Sequence, residues 1–237
     1  MLHDRDPRMP VLADKLRVRK YVAEKAGGQY LIPLLWSGDR PEEIPFDKLP
    51  SRFVIKANHG AGYNIIVRDK TQLNQEAARH QLKQWLAQNY CQDKFLGIEW
   101  AYRDIKPSII IESFIEENGK LPTDYKFFCF SGRVERVVLY FDRFEKLAAK
   151  AFDRNFEASE LRFNVPEYGG ESKRPPNFDK MIEVAESLAE GFRFIRVDMY
   201  NLDGRILFGE LTFYHGGTGY VFRPERQDYA LGEKWKS

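Results

Sequence analysis

Two carboxylates and an arginine stand among large apolar residues in the stretch Phe192-Arg-Phe-Ile-Arg-Val-Asp-Met-Tyr-Asn-Leu-Asp-Gly-Arg-Ile-Leu-Phe-Gly-Glu-Leu-Thr-Phe213. It reads as two β-strands joined by a tight turn. Strand side chains alternate between faces, so Phe194, Arg196, Asp198 and Tyr200 share one face of the first run. Ile206, Phe208, Glu210 and Thr212 share a face of the second. Leu202-Asp203-Gly204 fits a three-residue hairpin loop with Gly204 in the left-handed position. That loop pairs Asn201 with Arg205, sets Arg196 opposite Glu210 and sets Phe208 opposite Asp198. Arg196, Asp198, Glu210 and Thr212 then point the same way. Two carboxylates and a hydroxyl are hard oxygen donors suited to Mg²⁺. A solvated sheet face with one ion pair is the other reading of the same residues.

A second group of residues suits polyphosphate. Lys56 ends the apolar run from Phe53 and precedes Asn58-His59-Gly60-Ala61-Gly62. A cation beside open backbone N–H groups is what phosphate oxygens need, and Gly60 and Gly62 let backbone approach without a Cβ. The spacing is not that of a P-loop; a hairpin turn with an edge lysine is the alternative. Glu112 follows Ile109-Ile110-Ile111, and a carboxylate at the end of a buried strand needs a partner. Asp124 and Lys126 share a strand face with Phe128 and Phe130, as a structural pair or as an ion pair under a nucleotide with Lys126 reaching phosphate. Asp142-Arg143 points into the same cleft or sits on an exposed turn. His59 and His215 read as loop histidines without a catalytic task.

These residues need a scaffold. Asp14 caps a helix over 15–26 that Gly27-Gly28 ends, and residues 1–13 read as a loose tail. Strands are expected at 30–36, 52–58, 63–68, 106–115 and 146–152, with a hairpin of 125–130 and 134–140 around Ser131-Gly132. Helices are expected at 71–90 and 179–191. Residues 155–176 hold three prolines and two glycines, and read as a long loop able to close as a lid. Strands outnumber helices and join as hairpins, so the class is α+β with largely antiparallel sheets. The 237 residues suffice for one large domain or two lobes. A formal charge of +2, from 37 basic and 35 acidic residues, gives no case for general nucleic-acid or membrane binding. No apolar run approaches a membrane span. Cys91 and Cys129 form no metal spacing and read as reduced core thiols, pointing to the cytoplasm.

Asp-Lys-Leu-Arg at 14–17, Phe-Val-Ile-Lys-Ala-Asn-His-Gly-Ala-Gly at 53–62, Ile-Ile-Ile-Glu-Ser-Phe-Ile at 109–115 and Arg-Val-Asp…Gly-Glu-Leu-Thr at 196–212 occur in that order. From residue 14 to the C-terminus the chain resembles the ATP-grasp superfamily. Within it, "DYKFFCFSG" (124–132) and "FGELTFY" (208–214) are similar to the TupA-like family of polysaccharide-biosynthesis proteins. The resemblance implies ATP held between two α+β lobes, about 14–112 and 113–237, without the larger domain that typical members carry before the first lobe. It implies that Lys56 contacts the nucleotide phosphates and that Lys15 is an earlier nucleotide-contacting lysine. Glu112 would lie near the nucleotide, Phe114 and Ile115 would offer backbone groups to the base, and Glu116 or Glu117 would reach the ribose. Asp198 and Glu210 match Mg²⁺ ligands, with Thr212 where many relatives have Asn. Arg196 matches an arginine near the reacting groups, and His215, Gly216, Gly217 and Gly219 a loop that cradles the acyl phosphate or acceptor. The implied reaction joins a small-molecule or glycan carboxylate, such as a uronic acid of a surface polysaccharide, to an amine through an acyl phosphate. A sugar kinase on the same fold and a non-catalytic nucleotide-binding subunit are the alternatives.

Overall fold

The computed structural model describes residues 4–95, 98–117, 119–141, 146–218 and 222–236. The chain divides into two compact units, residues 2–21 with 32–115 and residues 22–31 with 116–237.

The first unit starts with helix α1 (Met9–Ala13). The loose tail expected over 1–13 is thus ordered at its end: Pro10 sits in the first helical turn, and Met9 and Leu12 are buried. Proline costs a helix nothing there, and the apolar side chains gain by leaving water. Asp14 Oδ1 accepts hydrogen bonds from the backbone N–H of Leu16 and Arg17, and helix α2 follows at Val18–Lys25, running on into the second unit. Strands β1 (Leu34–Gly38), β2 (Phe53–Ala57) and β3 (Asn64–Val67), helices α3 (Gln75–Ala87) and α4 (Tyr90–Phe95), and strand β4 (Ile109–Ser113) complete the unit. Helix α3 begins later than expected because Asn74 Oδ1 caps the N–H of Ala77, while residues 70–72 form a 3₁₀ turn. The sheet is antiparallel in the order β1-β4-β2-β3. One face, with Phe53, Ile55, Ile109 and Ile111, packs on Leu82 of α3. The other carries Arg52, Val54 and Lys56 beside Ile110 and Glu112.

The second unit contains β5 (Asp124–Phe130), β6 (Arg133–Phe141), β7 (Ala148–Phe152), α5 (Phe178–Ala189), β8 (Phe194–Leu202), β9 (Arg205–Thr212) and α6 (Glu225–Lys236). Its sheet is antiparallel in the order β7-β6-β5-β8-β9. Helix α5 buries Phe178, Met181, Ala185 and Leu188 against the face bearing Phe127 and Val197. The opposite face carries Phe128, Phe130 and Phe194 at one end, under Leu161 and Leu231, and the charged residues at the other. The expected lid, 155–176, is stitched along β7 over much of its length. Ser159 N–H donates to Ala151 O, Ala149 N–H to Pro166 O and Tyr168 N–H to Ala149 O, each at 2.9 Å. The Tyr168 ring stacks on Phe141 at 3.8 Å. Among the described residues no helix is long and apolar enough to cross a membrane.

The last hairpin departs from its expected register. Its turn has two residues, Asp203 and Gly204, with φ of +47° and +90°, as a type I′ turn requires. Leu202 pairs with Arg205 and Met199 with Phe208. The ladder then slips by one at Gly209, so that Asp198 faces Glu210 and Arg196 faces Thr212. Arg196 is therefore not opposite Glu210, nor Phe208 opposite Asp198. Ile206 and Phe208 lie on the Met199 face, away from Glu210. Gly209 is a β-bulge; a Cβ there would lie 3.1 Å from the Asp198 carbonyl oxygen.

Candidate functional site

In the first unit, Lys56 and Glu112 lie on the polar face of adjacent strands. Lys56 Nζ donates to Glu112 Oε2 at 2.7 Å, and Arg19 Nη1 to Glu112 Oε1 at 2.8 Å. Glu112 is 7% exposed, so burial would be costly without both cations. Arg19 also donates to Ile32 O. The sequence reading missed Arg19; the signal was the demand of a buried Glu112 for a counter-ion. Two cations share one carboxylate, leaving a surplus positive charge beside the glycine loop.

That loop is held from several sides. Lys15 Nζ donates to Gly60 O at 2.6 Å, and its backbone N–H to Asn58 O. Asn58 is buried, its side chain bridging Lys106 O and the Ser108 N–H. His59 Nε2 donates to Trp85 O at 3.0 Å; the carbonyl can only accept, so the ring proton is on Nε2. Burial pushes this histidine below its ordinary pKa. Gly60 has a packing reason to be glycine, because a Cβ would stand 2.5 Å from the Tyr90 ring. Gly62 has a conformational reason, φ of +77° with open space around it. Phe114 is flanked by Arg52 and Arg68, whose guanidinium carbons lie 5.4 and 5.6 Å from its ring centre. Ile115 closes the first unit, while Glu117 belongs to the second, where its carboxylate accepts from the Asp203 N–H.

In the second unit, register brings Lys126 of β5, Arg196 and Asp198 of β8, and Glu210 and Thr212 of β9 onto one face. Arg196 Nε donates to Asp198 Oδ1 at 2.6 Å. Its Nη2 reaches Asp198 Oδ2 at 2.8 Å, Glu210 Oε1 at 3.1 Å and Thr212 Oγ1 at 3.0 Å. Lys126 Nζ lies 2.5 Å from Asp198 Oδ2 and 3.6 Å from Asp124 Oδ2. Burial works against the charge of Arg196, but attraction and hydrogen bonding from Asp198, then Glu210, outweigh it and raise its pKa above the ordinary value. The guanidinium is thus a fixed cation.

His215 is part of this cluster, not a bare turn residue. Arg196 Nη1 contacts His215 Nδ1 at 2.7 Å. A guanidinium only donates, so Nδ1 accepts and the proton sits on Nε2. Burial first, then the charges of Arg196 and Lys126, push His215 down to about 2. Its ring lies against Phe128 at 4.8 Å and is parallel to Phe222 at 5.8 Å. A neutral imidazole orients the guanidinium without cancelling its charge. Of the loop that follows, Gly219 lies outside the described residues, as do Asp142 and Arg143.

Asp198, Glu210 and Thr212 fit Mg²⁺ by donor chemistry, since this ion takes one or two carboxylates and completes its shell with water and phosphate oxygens. Glu210, at 32% side-chain exposure, is the more open carboxylate; Asp198, at 4%, is engaged by both cations. Among the described residues no group of three or more His, Cys, Asp or Glu is placed to hold a metal alone.

A family model described as TupA-like ATPgrasp matches residues 1–236. No protein of curated function matches the chain in sequence. Among solved structures, the chain is similar to the D-alanine–D-alanine ligase of Bacillus anthracis, with 17% identity over 94% of this chain and 63% of that one and a TM-score of 0.52. It is similar to the N5-carboxyaminoimidazole synthetase of Staphylococcus aureus complexed with ADP, with 11% identity, 85% and 44% coverage and a TM-score of 0.52. The ATP-grasp ligase PsnB, solved with a precursor variant, Mg and ADP, gives 15% identity, 97% and 60% coverage and a TM-score of 0.50. The chain spans less than two thirds of each of these proteins. At such identities the likeness shows the ATP-grasp fold alone.

Proposed function

Since the chain belongs to the TupA-like ATP-grasp family, we propose that it is an ATP- and Mg²⁺-dependent ligase joining a carboxylate to an amine. The carboxylate is that of a small molecule or glycan, such as a uronic acid of a surface polysaccharide or its precursor, and the reaction runs in the cytoplasm. The observation that carries this reading is the single face on which Arg196 ties together Asp198, Glu210 and Thr212, with Lys126 behind them.

In the proposed reaction a carboxylate oxygen attacks the γ-phosphorus of ATP and ADP leaves. The amine nitrogen then attacks the acyl carbon, phosphate leaves with the C–O electron pair, and the amine proton passes to water or phosphate. Lys56 and Lys15 with the Gly60–Gly62 loop bind phosphate oxygens, and Phe114, Ile115, Glu112 and Glu117 line the nucleoside end. Asp198, Glu210 and Thr212 hold Mg²⁺, which when bound offsets phosphate charge. Arg196, kept charged by Asp198 and Glu210 and oriented by His215, faces the developing oxyanion. Ordering both substrates lowers the barrier without a dedicated general base.

The test is a screen of ADP release over uronic acids crossed with amino acids and simple amines. Release that requires ATP, one carboxylate and one amine together, with an amide found by mass spectrometry, is the expected result. Release with a sugar hydroxyl acceptor alone would make the chain a kinase. Absence of ATP binding by the folded protein in calorimetry would overturn the enzyme reading.

A further inference from the structure

On the Phe128–Phe130 face of the second unit, α6 and the sheet enclose an open pocket of about 330 Å³. Such a volume suits a small ligand. Phe130, Phe194, Phe222 and Trp235 line it, with the Trp235 ring stacked on Phe194 at 4.7 Å. Tyr229, 68% exposed, stands at its edge.

Two further features point to the occupant. Asp228 and Glu233 also line the pocket, and neither forms an ion pair among the described residues. Two basic side chains of α6 are engaged elsewhere, Arg226 with Glu160 and Lys234 with Glu135. Glu233 lies in the last turn of α6, where the helix dipole disfavours a carboxylate, so helix stability does not account for it. Gly232 is the second feature. It lies inside α6 and lines the pocket, and a Cβ there would meet nothing within 4 Å. Glycine weakens a helix interior relative to alanine, and no neighbour of Gly232 requires it. The missing side chain widens the pocket.

We propose that this pocket binds an organic ammonium ion with a flat or apolar body. Aromatic faces attract a cation and bury its carbon frame, while Asp228 and Glu233 supply the opposite charge and Gly232 the space. The site adjoins the charged cluster, since Phe222 lies parallel to His215, which accepts from Arg196. Binding here does not depend on the ligase reading, because it requires neither ATP nor turnover.

Calorimetric titration of the nucleotide-free protein with phenethylammonium tests the site, with 3-phenylpropionate as the anion of similar shape. We expect saturable binding of the amine and at least about tenfold weaker binding of the carboxylate. The double variant Asp228→Asn, Glu233→Gln should weaken the amine about tenfold. Gly232→Leu should abolish binding while the melting temperature stays level or rises, because leucine favours a helix. No binding of the amine, equal binding of the two probes, or unchanged affinity in both variants would overturn the proposal.

Discussion

Replacing Lys126 with methionine separates two roles that its position allows. The residue is 5% exposed, with its ammonium 2.5 Å from Asp198 and 3.6 Å from Asp124. If its first task is to offset these buried carboxylates, Lys126→Met takes the ammonium away from both Asp198 and Asp124. Removing one partner of a buried ion pair costs about 3–5 kcal/mol. Asp198 keeps its contacts with Arg196, so the low end applies and the expected loss is about 3 kcal/mol. That is a large share of a domain's stability, typically about 5–15 kcal/mol. At about 2–4 °C per kcal/mol for a chain of this size, the melting temperature should fall by roughly 6–12 °C. Urea denaturation followed by circular dichroism at pH 7 measures the loss. Adding Asp124→Asn should recover about 1 kcal/mol or more, since the pair interacts directly. A single variant within about 0.5 kcal/mol of the wild type, with nucleotide affinity lost, would refute the burial argument and return Lys126 to a simple phosphate contact.

His215 gives a pH signature. Its folded pKa, about 2, lies below the ordinary 6.5, so the unfolded chain binds the extra proton and folding loses stability as pH falls below 6.5. From pH 6.5 to 5 the loss should approach about 2 kcal/mol, and His215→Gln should remove that part of the slope in parallel denaturation curves. Gly209→Ala should destabilise by about 1 kcal/mol or more, because the methyl would press on the Asp198 carbonyl; thermal melts check this, and an unchanged or raised melting temperature would show that the bulge yields freely. Gly60→Ala should cost about 1–3 kcal/mol and open residues 58–62 to protease, since the Tyr90 ring must move; wild-type resistance would mean the loop does not depend on that ring.

What could be read from the residues alone varied with the range of the interaction. The sharing of one face by Arg196, Asp198, Glu210 and Thr212 followed from strand alternation, and the four do lie together. Their register did not follow, because Asp203-Gly204 is itself the two-residue turn and a lone glycine in a strand is a quiet sign of a bulge. Glu112 announced its need for a counter-ion, but Arg19 lies 93 residues away in sequence, and no local pattern names it. His215 looked like a turn residue because the glycines after it are local, while Phe128 and Phe163, whose rings pack against it, come from distant segments. Residues 155–168 read as open loop because what ties them to β7 is largely backbone hydrogen bonding, to which side-chain type gives little clue.

The bulge at Gly209 also sets how near two like charges stand. In this chain Asp198 and Glu210 point to one side because one residue is surplus to a regular two-residue hairpin, and for that alone it does not matter whether the surplus sits in the turn or in the strand. Spacing does depend on it. With the surplus residue in the turn, Glu210 would lie diagonal to Asp198, at about 7–8 Å between positions; directly opposite, side chains start about 4.5–5.5 Å apart. The observed hairpin takes the second course, and a single guanidinium nitrogen touches both acids. Deleting Gly209 while lengthening the turn by one residue would therefore keep both carboxylates on the same side yet set them diagonal, with Arg196 directly opposite Glu210 in place of Asp198.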